Sequence, residues 1–462
     1  MIFCRALMAF AVAVLCLNVV PAHAAEGPFA FQRLATFSAS DEGTQPTSLI
    51  AGADGCIYGT TSGSISGPLA TNGTVFKLAL GGEVSILVSI PTNGTNGLKP
   101  VALVHSRDGN FYGATYYGGS TPFYGAIFKL APGGVLSTLF AFAGANGRQP
   151  IALVQGADGN LYGATRDGGD FGYGTVFKLT TNGVMTPLMS FAVTNGVRPN
   201  HLIQGADGNL YGTTFDDIGV NAVDNVFKLS LSGEFTILAS SQYSNTPAGP
   251  SAIVQGPDGS LYVASGGRGG FGNIFRVSTN GGASLLVEFN GTNGWFPDSL
   301  LVGSDGNLYG TTEAGGADYT APGPPDYAIT GSGTIFKVTL DGALTTLRSF
   351  AGTDGNDPIL LAQTSDGILY CATESEQPPT LAAIFRLAPR PVIRGLDHSP
   401  SRDVLSWTSF SGGNYQVECN TTLSTGAWST VLPIINARGN SASATNQLPS
   451  VSQGYYRVHL LP

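Results

Sequence analysis

Residues 158–179 read DGNLYGATRDGGDFGYGTVFKL, and the reading of this stretch decides the fold. Asp158-Gly159 opens it, Tyr162 stands four residues after the Asp, and Phe177-Lys178 closes it about twenty residues on. Pro150 lies eight residues before the Asp. The same register returns at Pro46 and Asp54, Pro100 and Asp108, Pro199 and Asp207, Pro250 and Asp258, Pro297 and Asp305, and Pro358 and Asp366, making seven copies. A spacing this strict, with drifting lengths in between, is one supersecondary unit repeated.

Each unit divides into four strand-like runs. In the third copy they are 151–155, 160–165, 175–179 and 185–191, with Asp158-Gly159 and Asn182-Gly183 at two of the junctions. Such dipeptides between apolar runs are hairpin signals, because Gly and Asn accept the positive φ of a tight turn. The unit is therefore a four-stranded antiparallel meander. Its strands are apolar nearly throughout, as sheets covered on both faces must be, and radial stacking covers both faces while leaving short edges. The expectation is an all-β protein, a seven-bladed β-propeller with four-stranded blades. Residues 34–37 match the last strand of other copies (188–191, 347–350), and the seventh copy stops after 384–387, one strand short. An N-terminal strand is thus expected to complete the seventh blade and latch the ring.

Residues that recur in every copy are read as serving the fold. The Pro suits the start of an innermost strand, Asp-Gly makes the turn, and the Tyr and Phe supply area between blades. The basic residue after each Phe (Lys77, Lys129, Lys178, Lys228, Arg276, Lys337, Arg386) is expected to pair with a turn carboxylate. Three residues before each Asp stand Ala51, His105, Gln155, Gln204, Gln255, Val302 and Gln363, which are expected to border a hydrated channel, with His105 a solvated substitute for Gln.

Composition agrees with a turn-rich β protein: 65 Gly and 11% charged residues in 462. Arg5, an apolar stretch over 6–20 and Pro21-Ala22-His23-Ala24-Ala25 read as a secretory leader cleaved after Ala24. Losing Arg5 takes the formal charge from −9 to −10, which argues against a nucleic-acid partner. No later segment is apolar enough to span a membrane, so a secreted, periplasmic or cell-surface location and a monomer are expected. Domain boundaries are set at 1–24 for the leader, 25–390 for the propeller and 391–462 for a C-terminal domain. Cys4 and Cys16 fall in the leader, and Leu15 before Cys16 disfavours a lipid anchor. Cys56 and Cys371 stand two and five residues after their Asp, which points them to opposite sheet faces and favours free thiols over a bridge.

The phrase at 158–179 resembles the GloVer (Gloeobacter/Verrucomicrobia) tandem repeat, and the resemblance covers about residues 29–390. It implies an exported bacterial protein and transfers no catalytic residue. The usual sorting tail of that family, a terminal apolar helix with a basic cluster, is not seen in Tyr455-Tyr456-Arg457-Val458-His459-Leu460-Leu461-Pro462. Beyond Arg390-Pro391, strand-like runs at 403–407, 414–419, 428–435 and 455–460 suggest a small β-sandwich similar to fibronectin type III modules, with Trp407, Trp428 and Tyr415 as its core.

If repeated residues build the fold, function belongs to the others. The loops between second and third strands and the blade-to-blade crossovers emerge on one face, opposite the tight turns. Candidate ligand-binding residues there are Tyr116, Tyr117, Tyr124, Arg166, Asp167, Asp170, Tyr173, Asp216, Asp217, Arg268, Trp295 and Glu313. Aromatics beside carboxylates and Arg suit extracellular polysaccharide or a cell-surface protein. The bland alternative is that loop aromatics pin their own loops and the charges are solvated. His-Glu-x-x-His, Gly-x-Ser-x-Gly, Cys-x-x-Cys and phosphate-loop patterns are missing, so the expectation is a non-catalytic module with no cofactor and no metal. Asp354, Asn356 and Asp357 offer oxygen ligands without the spacing of a known calcium loop. The rival reading is a secreted carbohydrate-active hydrolase or lyase using carboxylates of this face or His201.

Overall fold

The computed structural model describes residues 29–37, 45–63, 73–90, 97–119, 124–217, 223–241, 249–266, 270–320, 330–351, 355–374, 382–399, 402–410, 413–420, 428–430, 433–437, 441–446 and 455–461, and their regular structure is all β. Blade 3 shows the unit: Arg148–Gln155, Leu161–Asp167, Thr175–Leu179 and Met185–Ser190 pair antiparallel in chain order. Its turn works through Asp158. Gly159 takes φ 80°, which closes the turn, and Asp158 Oδ1 accepts the Asn160 N–H at 3.1 Å. Oδ2 accepts the Tyr162 hydroxyl at 2.8 Å and Lys178 Nζ at 2.9 Å, so one carboxylate ties three strands together. The same hub recurs at Asp54, Asp207, Asp258 and Asp305.

The basic residue departs from this role in two copies. Lys129 lies over the Tyr112 ring, 5.7 Å from its centroid, and Arg386 donates to Gln32.

Seven such sheets form the ring. Each first strand touches the first strands of both neighbours, and Asn356–Gln363 of blade 7 touches Gln45–Ala51 of blade 1. Blade 7 is built from Asn356–Gln363, Leu369–Glu374, Ala383–Pro389 and, outermost, Phe29–Thr36, so the N-terminal strand is the latch. Between blades, the Phe that ends one outer strand packs on the third-strand Phe of the next blade. Ring centroids are 5.3 Å apart for Phe142–Phe177, 5.4 Å for Phe191–Phe227 and 5.1 Å for Phe289–Phe336. Phe37 packs on Phe76 at 5.2 Å, giving the closing seam the contact of the interior ones. Gly163 is small because a Cβ there would lie 2.4 Å from the Phe177 ring.

The ring of Gln residues does more than line an opening. Oε1 of Gln155, Gln204, Gln255 and Gln363 accepts the N–H of Arg107, Ala157, Ala206 and Ser304, each in the preceding blade. Their Nε2 atoms donate to Gly159, Gly208, Gly259 and Gly367 of their own turns. Each Gln is a blade-to-blade clasp. His105, which cannot span that gap in the same way, stacks on Phe111 instead, with centroids 4.4 Å apart.

Cys56 and Cys371 are free thiols. Cys371 is buried as expected, and burial pushes its thiol well up, whereas Cys56 is half-buried. The side chain of Cys419 lies outside the described residues.

Among the described residues, 33–385 form one compact unit, and 29–32 with 386–461 form another. In the C-terminal part, Ile393–Ser399, Arg402–Thr408 and Ser441–Asn446 make one sheet. A second sheet centres on Asn414–Asn420, paired with Ser429–Thr430, Ile435–Asn436 and Tyr455–Leu460. Leu405, Trp407, Tyr415 and Val417 are buried in this small sandwich-like domain. Trp428 is a correction to the expected core: it is half-exposed, with the Arg457 guanidinium 4.3 Å from its ring.

Two expectations follow from these contacts. Phe37→Ala should cost about 3–4 kcal/mol, like Phe142→Ala and Phe191→Ala at interior seams; a mild effect at Phe37 alone in denaturant melts would mean that the latch carries little. The second concerns acid. Burial by itself would raise the Asp158 carboxyl, but hydrogen bonds from Asn160, Lys178 and Tyr162 hold it well below the usual range, and Asp207 and Asp305 are lowered likewise. Asp54 is held at about 2. A carboxyl lowered by folding stabilises fully above about pH 4 and loses that contribution as pH falls toward the folded value. Asp158→Ala should therefore cost about 1 kcal/mol at pH 7 and flatten the loss of melting temperature between about pH 4 and 2.

Candidate functional site

The loop face is organised by its crossovers. Blades 3, 4 and 6 are entered through Asn-Gly-x-x-Pro, in which the Asn side chain caps the preceding turn. Asn146, Asn195 and Asn293 accept the N–H of Ala143, Ala192 and Asn290 at 2.9, 2.7 and 2.9 Å. The residue before the Pro then takes a left-handed backbone: Lys99 (φ 56°), Gln149 (57°), Arg198 (51°), Phe296 (54°) and Asp357 (51°). Blade 5 has Gly249 at this position, φ 63°. The left-handed region is disfavoured before Pro and costs a non-glycine residue about 1 kcal/mol or more. Five blades carry that cost and one relieves it with Gly.

Carbonyls of the second-to-third loops hold this backbone in place. Gln149, Arg198 and Phe296 donate their N–H groups to the carbonyls of Tyr124, Tyr173 and Phe271 at 2.7, 2.9 and 2.9 Å. The rings of those three aromatics pack against the blade core. Tyr124 and Tyr173 thus act as loop pins. Tyr116 and Tyr117 are different: they sit at the end of a second strand, half-buried, edge to face at 4.7 Å.

Blades 2 to 4 gather charge around Arg198. Its Nε donates to Asp167 at 3.1 Å and its Nη1 to Asp217 at 2.6 Å, while Arg166 also binds Asp217. Burial would lower the Arg198 guanidinium, but the two carboxylates outweigh it and raise it. Asp167 is buried at 6% exposure, and exposed Arg148 comes no nearer to it than 3.9 Å. Tyr116 feels Arg166, Asp167 and Arg198, its phenol raised mainly by burial, and Lys99 Nζ stands 5.5 Å from the centre of its ring. Tyr116, Tyr117, Arg166, Asp167 and Asp217 therefore come together, joined by Lys99, Arg148 and Arg198 from the crossovers.

Blades 6 and 7 gather charge of the other sign. Asp298, just after Pro297, is set deep among the blades with part of its surface open to solvent. Burial, then the nearby carboxylates of Glu313, Glu374 and Asp357, push it up to about 7. Glu313 is exposed beside it. Trp295 belongs to an aromatic group with Phe271, Phe296 and Tyr319, ring centroids 5.2 to 6.1 Å away. Its indole N–H is buried and has no hydrogen-bond partner among the described residues.

Asp216 is buried, and its N–H is held by Asp224 Oδ1 at 2.9 Å. Asp170 is exposed at a loop whose tip presents Phe171 at 61% exposure. Arg268, with Phe123, Asp326, Tyr327, Glu376 and Asp354, lies outside the described residues. His201 sits on a first strand, where burial lowers its imidazole to about 4, with Nδ1 3.4 Å from Thr213 Oγ1. Among the described residues no group of three or more His, Cys, Asp or Glu is arranged to hold a metal, and no helix is long and apolar enough to cross a membrane.

Comparison with solved structures places the fold in company. The extracellular domain assigned to a hybrid two component system of B. thetaiotaomicron superposes with a TM-score of 0.52 at 11% identity, covering 92% of this chain and 55% of that one. A gluconolactonase of Xanthomonas campestris gives 0.41 at 12% identity, over 80% and 93% of the two chains. The PQQ-bound aldose sugar dehydrogenase of Streptomyces coelicolor gives 0.41 at 9%, over 78% and 98%. At these identities the likeness concerns the fold alone. No match to a curated protein was found. The model of the Gloeobacter/Verrucomicrobia repeat matches residues 45–240 and 198–416, which takes in all seven copies of the Pro-to-Asp register. The chain belongs to the Gloeobacter/Verrucomicrobia repeat family.

Proposed function

We propose that the protein is an exported, non-catalytic binding module that takes extracellular polysaccharide on its loop face. The observation that carries this reading is the contrast between the two faces. On the turn face the side chains are consumed by the fold, as Asp158, Tyr162 and Lys178 illustrate. On the loop face a costly left-handed backbone is retained in five blades under chemically different side chains, next to the half-buried pair Tyr116 and Tyr117. Polar groups around an aromatic surface suit a sugar chain, whose rings offer apolar faces and whose edges offer hydroxyls. Export rests on the leader-like residues 1–25. Glycan arrays and pull-down from cell envelopes test the reading. Binding should be found, and Tyr117→Ala or Trp295→Ala should weaken it about tenfold or more. Lys178→Gln on the turn face should lower stability slightly and leave binding alone. Failure to retain any glycan or envelope component, with the protein folded, would end the proposal.

Asp298 favours a second reading, a carbohydrate-active hydrolase or lyase. A carboxyl near pH 7 beside ionised carboxylates is the arrangement that separates an acid from a base. Its environment can be checked first. A carboxyl raised by folding destabilises the fold as pH climbs from about 4 through 7, so wild-type protein should melt higher at pH 5 than at pH 8 and Asp298→Asn should shrink that difference. Polysaccharide turnover that is lost in Asp298→Asn while the melt is preserved would promote this reading over binding; turnover unchanged by that substitution would remove Asp298 from it.

A further inference from the structure

We propose that the sector of the loop face on blades 2 to 4 recognises carboxylate-bearing sugar chains, with Lys99 and Arg148 meeting the carboxylates and Tyr116 and Tyr117 the sugar rings. The inference rests on the polysaccharide-binding reading and adds the chemical class of the ligand and the sector it occupies.

Commitment of the cations is the first argument. Arg198 and Arg166 are spent on Asp167 and Asp217, and their ion pairs fix the floor of the sector. Lys99 and Arg148 are not spent in this way. Among the described residues the Lys99 side chain makes no hydrogen bond, and its ammonium rests over the Tyr116 ring. Arg148 has only the 3.9 Å approach to Asp167, too long for a hydrogen bond, so its planar fork of donors faces solvent. A guanidinium in that state matches a carboxylate in two-pronged geometry, and an ammonium beside it supplies a point charge.

Position is the second argument. Lys99 stands on a left-handed backbone that glycine would adopt freely, as Gly249 does at the matching place. Its ammonium is thereby held at the rim, above an aromatic ring, and both groups can meet one sugar residue: the ring face on Tyr116 and the carboxylate on Lys99. Arg148 enters from the next crossover, so the two cations are offered by neighbouring blades. That spacing suits successive charges on a chain better than one small anion.

Exclusion is the third. The chain carries a formal charge of −9, so two cations without an ion pair of hydrogen-bond length on neighbouring crossovers run against the average. Around Tyr116 the cations Lys99, Arg148, Arg166 and Arg198 stand with the carboxylates Asp167 and Asp217, and Asp170 and Asp216 lie further along the same loops, while on blades 6 and 7 burial, then the charges of Glu313, Glu374 and Asp357, raises the Asp298 carboxyl. A polyanion would meet uncommitted cations in the first sector and carboxylates in the second, which favours the first.

Polygalacturonate and its methyl-esterified form are the probes, since esterification masks the carboxylates and keeps the backbone. Affinity electrophoresis or calorimetry on the purified protein should show binding to polygalacturonate that falls about tenfold or more on esterification, and again as salt rises from about 0.05 to 0.5 M. Lys99→Gln and Arg148→Gln should each weaken it about threefold to fivefold with unchanged melting temperature, and together more than tenfold. Lys228→Gln, the same loss of charge on the turn face, should leave binding as it is. Equal binding of the two polymers, or indifference to the double substitution, would overturn carboxylate recognition while leaving polysaccharide binding standing. Retention of some other glycan but of neither polymer would do the same. No binding to any glycan would bring down both readings.

Discussion

A four-stranded antiparallel sheet with apolar residues on both faces cannot be stable alone, and the whole molecule follows from how that exposure is removed. The decisive contact is the Phe that ends one outer strand lying against the third-strand Phe of the next blade. It recurs as Phe142 on Phe177, Phe191 on Phe227, Phe289 on Phe336 and Phe350 on Phe385. Each blade buries one face only by presenting its partner face to a neighbour, so the series is satisfied when it closes. Phe37 on Phe76 is that closure, and it explains why the outermost strand of blade 7 comes from the other end of the chain. The Gln clasps add direction, since each reaches from one turn to the preceding one.

Closure also divides labour between the two faces. The short turns lie where strands must reverse within two or three residues, and there Asp, Tyr and Lys have fixed tasks. The crossovers have a different task, to carry the chain from the rim of one blade to the axis of the next. They do so through a capped turn and a left-handed residue ahead of Pro, held by a carbonyl of the adjoining loop. Nothing in that geometry dictates the side chain, provided the strain is tolerated. Lys, Gln, Arg, Phe and Asp occupy it in five blades. Variation is thus concentrated on a frame whose positions are set by the fold.

How much of this the sequence disclosed depended on range. The Pro-to-Asp register, the meander and the pairing of most basic residues with turn carboxylates were legible because each is a local pattern that recurs from copy to copy, and the latch at 34–37 because it matches the strand that the seventh copy lacks. What escaped was contact between copies. The clasp made by Gln155 was not legible, because its partner, the Arg107 N–H, lies forty-eight residues away and leaves no mark in composition. Tyr124 and Tyr173 show the same dependence: their part in holding the crossovers appears only when their carbonyls are seen to accept from Gln149 and Arg198. In the C-terminal domain two strands, Ile393–Ser399 and Ser441–Asn446, lack strong alternation and were missed, and a run taken as one strand around Trp428 proved to be two short ones.

Charge on the loop face illustrates the same relation between order in the chain and order in space. Blades that follow one another in sequence are neighbours in the ring, so a drift of sign along the chain becomes a division of the face. Lys99, Arg148, Arg166 and Arg198 come early and fall on adjoining blades, interleaved with Asp167, Asp170, Asp216 and Asp217; Asp298, Glu313, Asp357 and Glu374 come late and adjoin without such interleaving among themselves. Net charge averages this away. The electrostatic consequence does not average, because at one side burial and then the neighbouring carboxylates raise the cost of ionising Asp298, whereas opposite charges interleaved at the other lock into the Arg198 network. One side of the face is therefore held by satisfied pairs beside two cations that make no ion pair of hydrogen-bond length, and the other gathers carboxylates around a deeply set one. For the proposed anionic ligand the two sides are not equivalent, so the repeat architecture alone, with no change of fold, is enough to give the surface a preferred orientation.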